Sequence, residues 1–304
     1  MKIINLDEAV INALNLFSND LPPTVDLTQY SFPFVVGSGN AYNTGLIMFG
    51  DRPAIFCDES NYKEKLIAYQ DLIKKNIIKC AVIISASGEK DSVWEIEESK
   101  KNKLNTILFT CSDDSSAAKL ADKTFVYKKV AEPYTYNTST YMGMIMSVTN
   151  ENPQNILKLI RNLKIPDNFS NYEAYSFILP EKFINLCPMI DIKKSELFGP
   201  HLSLRAFTQG YARHAKFVNP WEKELVIMLG EKGDYYGFKK NQWHIEIPPF
   251  LNHAAAMAIT YFIIGKIQTS KPQYFKDNIK NYCLDYGPKA YGKTTPFEVI
   301  VPGN

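Results

Sequence analysis

The residues best suited to chemistry sit in two short loops. Gly37-Ser38-Gly39-Asn40 follows the apolar run Phe34-Val35-Val36 and precedes a helix-like stretch that reaches Phe49. Glycines there let the backbone approach an anion, and a helix N-terminus offers free N–H groups at the positive end of its dipole. Ser85-Ala86-Ser87-Gly88 follows a second apolar run, Cys80 to Ile84. Its hydroxyls can donate to phosphate oxygens, and Lys90 can add a charge-assisted bond. In parallel α/β sheets ligands lie beyond the carboxyl ends of the strands, where both loops fall. Together the loops predict an anion site, although each alone reads equally well as a tight turn or a cap. The rival reading of the first loop is a dinucleotide fingerprint. That pattern needs a third glycine, and Tyr42 stands there instead, crowding helix against strand. Asp58 and Glu59 after the next apolar run keep an NAD-dependent oxidoreductase as a minor alternative.

The elements that must carry these loops follow from periodicity. An amphipathic helix is expected near Asp7 to Phe17. Strands are expected at Phe34–Val36, Pro53–Cys57, Cys80–Ile84, Thr106–Phe109 and Phe125–Tyr127, with helices at Asn61–Lys75 and Asp91–Lys101. Strands alternating with helices specify a parallel sheet with helices on both faces. The pattern weakens between Asn150 and Asn171, where Gln154–Leu163 looks helical, and then resumes. Strands are expected at Tyr175–Leu179, Leu225–Leu229 and His244–Ile247. A largely helical region is expected from Lys193 to Lys216, broken near Gly199-Pro200, and a buried helix from Asn252 to Lys266. The reading is therefore an N-terminal α/β domain over 1–150, a linker over 151–170, a second α/β domain over 171–270 and a tail over 271–304, the two domains resembling each other.

Composition narrows the class. In 304 residues, Lys plus Arg total 34 and Asp plus Glu 32, a formal charge of +2. That balance argues against a dedicated nucleic-acid or membrane-surface protein, which carries a basic excess. The five cysteines, Cys57, Cys80, Cys111, Cys187 and Cys283, have no metal-ligand spacing, so no metal site is expected and reduced thiols in a cytoplasm fit best. Asp7 and Glu8 interrupt the N-terminal apolar pattern, so no signal peptide is expected, and no apolar run reaches the ~18 residues of a membrane span. No Ser-His-Asp order, nucleophile elbow or zinc-protease motif is present.

Three segments in order resemble the sugar isomerase (SIS) family. Val35-Val36-Gly37-Ser38-Gly39-Asn40-Ala41-Tyr42-Asn43-Thr44-Gly45 is similar to the first loop and helix of SIS domains, closest to the C-G-T-S-Y-N-S-G pattern of the isomerase part of glucosamine-6-phosphate synthase. Ser85-Ala86-Ser87-Gly88-Glu89 resembles its S-Q-S-G-E-T loop, and Glu132 to Thr140, ending in Ser139-Thr140, its E-x-x-x-x-S-T segment. The resemblance implies two flavodoxin-like, three-layer αβα SIS domains with parallel sheets, often in a homodimer with the active site between subunits. It implies isomerisation or cleavage of a sugar phosphate through an enediol, without metal or organic cofactor. Ser85 and Ser87 would hold the phosphate, with Ser38, Asn40, Lys90, Glu132, Ser139 and Thr140 around the substrate. Ala41, Ala86 and Lys90 replace a serine, a glutamine and a threonine of the pattern. A non-catalytic module binding a sugar phosphate or related anion is the alternative they favour. With no amidotransferase segment ahead of the first loop, a complete glucosamine-6-phosphate synthase is not expected.

The same resemblance supplies catalytic candidates. Lys193-Lys194-Ser195-Glu196-Leu197 is similar to K-x-x-E-[IL], which implies Glu196 as the base that moves a proton between adjacent carbons, with Lys193 beside it. His214, in Gly210-Tyr211-Ala212-Arg213-His214-Ala215, falls close to the place of the family's ring-opening acid, with His201 as runner-up. Lys276 after Pro272 stands near the family's C-terminal lysine, and Tyr134, Tyr136 and Tyr141 are available to line a sugar pocket.

Overall fold

A computed structural model of the chain describes residues 2–230, 232–233 and 236–304. Helix α1 (Leu6–Asn19) precedes strand β1 (Phe34–Val36), helix α2 (Asn40–Phe49), β2 (Ile55–Cys57), α3 (Tyr62–Ala68), α4 (Gln70–Lys74), β3 (Cys80–Ile84), α5 (Asp91–Lys101), β4 (Asn105–Thr110), α6 (Ser116–Leu120) and β5 (Lys123–Val126). The two-residue β6 (Glu132–Pro133) leads into α7 (Thr138–Thr149), α8 (Pro153–Arg161), β7 (Ala174–Leu179), α9 (Leu186–Phe198), β8 (Ser203–Thr208) and α10 (Gln209–Ala215). Next come β9 (Glu224–Leu229), β10 (Gln242–Ile245), α11 (His253–Ser270), α12 (Tyr274–Asn281) and β11 (Ile300–Val301).

The chain divides into two compact units. The first comprises Asn19–Lys129, Ser139–Asn150 and Asn304; the second comprises residues 2–18, Val130–Thr138 and the described residues of Glu151–Gly303. In the first, five parallel strands lie in the order β2-β1-β3-β4-β5. This is the flavodoxin-like winding, whose switch point lies between β1 and β3. Alternation along the strands sends Phe34, Val36, Ile83 and Leu108 to one face, where they pack with Tyr62 of α3, Ile96 of α5 and Ala117 of α6. The opposite face receives α2. Gly45 sits so close to it that a Cβ would lie 2.7 Å from Val35 Cγ1 and 3.2 Å from Ile84 Cδ1. Helices on both faces of a buried parallel sheet make three layers, as expected.

The second unit repeats the plan with four parallel strands, β10-β9-β7-β8. Counted from its own first strand, this is the order second-first-third-fourth in reverse, the winding of the first sheet without its last strand. Strand β8 corrects the helical reading of Lys193 to Lys216. α9 ends at Phe198, and Ser203–Thr208 pairs with β7 alone at the sheet edge. Its burial is intermittent, with only Leu204 and Thr208 buried, and a half-exposed edge strand gives an apolar pattern too sparse to tell from a helix.

The other differences also concern the second unit. α1, read with residues 1–150, belongs to it: Lys266 Nζ pairs with Asp7 at 2.7 Å and Leu6 N donates to Gln268 Oε1 at 3.0 Å. The segment read as a linker is built into it too. Asn152 caps α8 through Gln154 N and Asn155 N, and Ile156, Leu157 and Ile160 are buried. The tail acquires structure by pairing β11 antiparallel to β6, Val301 against Glu132.

Candidate functional site

In the first unit, both loops lie at the carboxyl ends of β1 and β3, on the two sides of the switch point. Gly37 lets α2 start at once: a Cβ there would meet Ala41 C at 2.9 Å and Tyr42 N at 3.0 Å. Gly39, at φ +56, forms the N-cap of α2. Ser38 is half-buried, and Asn40 is buried with its Oδ1 lacking a hydrogen-bond partner among the described residues. An orphaned acceptor suits a ligand that carries hydroxyls. In the second loop, Ser85 Oγ accepts from Gly88 N at 3.1 Å and Ser87 Oγ from Glu89 N at 3.3 Å. Each hydroxyl folds the loop as an acceptor and keeps its own proton to donate outward. Gly88, at φ +66, is tightly enclosed: a Cβ there would lie 2.1 Å from Ser115 Oγ and 2.7 Å from Ser115 Cβ. Glu89 accepts from Ser116 N at 2.9 Å and so caps α6. Lys90 is exposed and forms the N-cap of α5.

Ser139 and Thr140, at the start of α7, are buried in this unit. Thr140 Oγ1 accepts from Cys111 Sγ at 3.4 Å, which ties it to the end of β4. Tyr42, the residue that departs from the dinucleotide fingerprint, has its phenol pushed up by burial and by the nearby Asp58 carboxylate. The sheet order also differs from the 3-2-1-4-5-6 winding of dinucleotide-binding folds.

In the second unit, α9 places Lys193 and Glu196 one turn apart on one face. Lys193 is fully buried, and its Nζ donates to Glu196 Oε2 at 2.6 Å and to the Thr135 carbonyl at 2.6 Å. About a quarter of the Glu196 side chain is exposed (24%). Burial holds the carboxyl above the ordinary carboxylate range, against the opposing pull of the Lys193 ammonium. A carboxylate held between these effects can take and return a proton. Glu132 is buried in β6 of the same unit, where its Oε2 accepts from Thr138 N at 3.0 Å.

His214 is exposed on α10. His201 stacks on Tyr274 with centroids 4.4 Å apart. His253 bonds the Lys182 carbonyl at 2.8 Å, and burial lowers its pKa. Lys276 lies half-buried on α12. Tyr136 and Tyr141 are core residues rather than pocket lining: both are buried, and Tyr136 OH bonds the Ile4 carbonyl at 3.1 Å. Tyr134 remains half-buried, against Phe297 at 5.2 Å and Tyr282 at 6.1 Å.

Sequence reasoning missed Thr135, whose backbone geometry no side-chain pattern announces. It also missed Glu151, whose carboxylate accepts from Asn252 N, Ala254 N and Ala255 N at 2.6, 2.8 and 3.0 Å and caps α11. Among the described residues no group of three or more His, Cys, Asp and Glu side chains could hold a metal ion, and no helix is long and apolar enough to cross a membrane.

Solved structures with this fold include proteins named for sugar-phosphate chemistry. The C-terminal domain of glucosamine-fructose-6-phosphate aminotransferase from Francisella tularensis matches with a TM-score of 0.55 at 15% identity, over 87% of this chain and 92% of that one. Glucosamine-6-phosphate deaminase from Thermotoga maritima matches at 0.53 and 14%, over 86% and 93%. Tagatose-6-phosphate ketose/aldose isomerase from Escherichia coli matches at 0.53 and 12%, over 87% and 90%. At these identities the likeness is one of fold. No protein-family model matches the sequence, and no curated protein does.

Proposed function

We propose that the chain is a phosphosugar isomerase or deglycase that works through an enediol. The observation that carries this reading is the pairing of hydroxyl-bearing loops on both sides of a flavodoxin-type switch point, on a fold otherwise found in enzymes named for sugar-phosphate chemistry. Ser85, Ser87 and Lys90 would take the phosphate and Ser38 and Asn40 the sugar, with Glu132, Ser139 and Thr140 supporting them. Glu196 would act as base and Lys193 would steady it. His214 is the candidate ring-opening acid. Its exposure favours the second reading, a module that binds a sugar phosphate without turning it over.

The two readings separate in one assay. The chain is incubated with fructose 6-phosphate, glucosamine 6-phosphate and tagatose 6-phosphate, and products are followed by chromatography. Turnover of one of them, reduced at least ~100-fold by Glu196→Gln with binding retained, is the expected result. Unchanged turnover in that variant overturns the base assignment. Binding without turnover across the panel overturns the enzymatic reading in favour of the module.

A further inference from the structure

In the first unit the pairing of β4 with β5 stops at Thr110 and Val126, and Tyr127 N adds one more bond, to the Thr110 carbonyl at 2.9 Å. Where paired strands end, backbone N–H and C=O groups need partners from elsewhere. The side chain of Asn304 supplies them. Its Nδ2 donates to the Cys111 carbonyl at 2.6 Å and to the Tyr127 carbonyl at 3.4 Å, and its Oδ1 accepts from Lys129 N at 2.7 Å. Its backbone N donates to the Lys129 carbonyl at 3.3 Å. A side-chain amide suits this task because it carries an acceptor and two donors in one plane. A carboxylate in its place would keep the bond from Lys129 N and lose both carbonyls. A methyl group would lose all three.

Cys111 is tied in turn to the loop proposed to take the phosphate. Cys111 N donates to the Ala86 carbonyl at 3.1 Å, and Thr110 Oγ1 donates to the same carbonyl at 3.3 Å. Ser85 N donates to the Phe109 carbonyl at 3.0 Å. Ser85 and Ala86 thus continue the β3–β4 ladder past its last pair, Ile84 with Phe109. Cys111 Sγ also donates to Thr140 Oγ1. Cys111 is therefore a shared rung: its N–H holds the loop, its thiol holds the start of α7, and Asn304 holds its carbonyl. A binding loop is useful only where its donors are held to within about 0.5 Å, and contacts behind the loop provide that.

We propose that Asn304 is a positioning residue for the phosphate loop: by fixing the Cys111 carbonyl it fixes the bond from Cys111 to Ala86, and so the arrangement of Ser85 and Ser87. The proposal rests on the reading of that loop as the phosphate site.

The test uses the full-length chain with inorganic phosphate as the probe. NMR gives two quantities: the hydrogen-exchange rate of the Cys111 N–H, and the phosphate affinity from shifts of the Ser85, Ser87 and Gly88 amides. Asn304→Ala removes all three side-chain bonds, and Asn304→Asp keeps the size and the Lys129 bond but cannot donate. Asn304 is exposed, so both variants leave the core untouched. Both are expected to speed Cys111 exchange by about fivefold and to weaken phosphate binding by a similar factor, the loss of a bond or two. Agreement between them excludes charge repulsion as the cause, because alanine adds no charge. A purely structural role would lower the urea midpoint and leave the affinity of the folded chain unchanged, and that result overturns the proposal. An aspartate variant that matches the native chain overturns it too, since the Lys129 bond alone would then hold the strand ends. If the native loop amides do not respond to phosphate, the phosphate reading falls and the exchange rates decide. Faster Cys111 exchange in both variants then keeps Asn304 as the residue that sets the loop, and unchanged exchange removes it.

Discussion

Lys90 holds a backbone conformation that lysine disfavours. Its φ and ψ are +60° and −122°, close to the +56° and −119° of Gly39. Both residues are N-caps of the helix that follows a switch-point strand, so the same turn is built once with glycine and once with lysine. The lysine version costs about 1–3 kcal/mol of strain. A residue kept at that cost is expected to act through its charge. Lys90→Gly should therefore raise stability in urea by about 1 kcal/mol, the relief being partly offset by the entropy of glycine. It should also weaken fructose 6-phosphate binding in calorimetry by about tenfold, the loss of one charge-assisted bond. Lys90→Ala should weaken binding alike without the gain in stability. Affinity unchanged in both variants would remove Lys90 from the site. The hydroxyl and lysine chemistry of this loop was legible in the sequence because residue type carries it. The positive φ of Lys90 and Thr135 was not, because only glycine advertises that geometry.

The central elements were legible for a similar reason. β1, β3, β7 and β9 are buried along their whole length, and each reads as a short apolar run bounded by turn residues. β8 was missed at the edge, and β6 and β11 are two residues long and exist through their long-range pairing. One element carries a cost that no periodicity shows. Glu95 lies on the inner face of α5, almost fully buried, with Oε1 unpaired among the described residues. Burial, reinforced by the carboxylates of Asp91, Glu59 and Asp58, pushes its pKa from 4.5 to about 8. The folded chain thus holds this proton more tightly than the unfolded chain. Its stabilising contribution is complete below about pH 4.5 and is lost as pH rises towards 8. Glu95→Gln keeps the shape and removes the ionisation. Urea denaturation should find the variant similar to the native chain near pH 4.5 and more stable by ~2–4 kcal/mol near pH 8. Stability curves that run parallel across that range would show that Glu95 ionises without cost.

At the scale of the whole molecule, the repeated winding explains why a likeness of fold survives at 12–15% identity. Sheet order is set by where apolar strands and short loops fall, and many sequences satisfy that pattern. What the pattern leaves open is where a peripheral element docks, and α1 is the case in point. Its amphipathic face predicts burial against something, and the adjacent sequence assigns it to the first sheet. It docks on α11 of the second unit instead, and the reason lies in one residue far along the chain. Gly265 lets the two helices touch: a Cβ there would lie 2.0 Å from Asp7 N and 2.7 Å from Asp7 Cα. Around this contact sit the Lys266–Asp7 ion pair, the Leu6 to Gln268 bond and an Asn5 to Thr269 bond of 2.8 Å. Inside a helix, Gly→Ala ordinarily stabilises by up to about 1 kcal/mol. Here the methyl group meets backbone, which cannot swing aside as a side chain would. Gly265→Ala should therefore destabilise by ~2–4 kcal/mol, because α1 must back away and strand its polar partners. The sign alone decides the matter in a urea titration: a variant as stable as the native chain, or more so, would mean that α1 does not rest on α11.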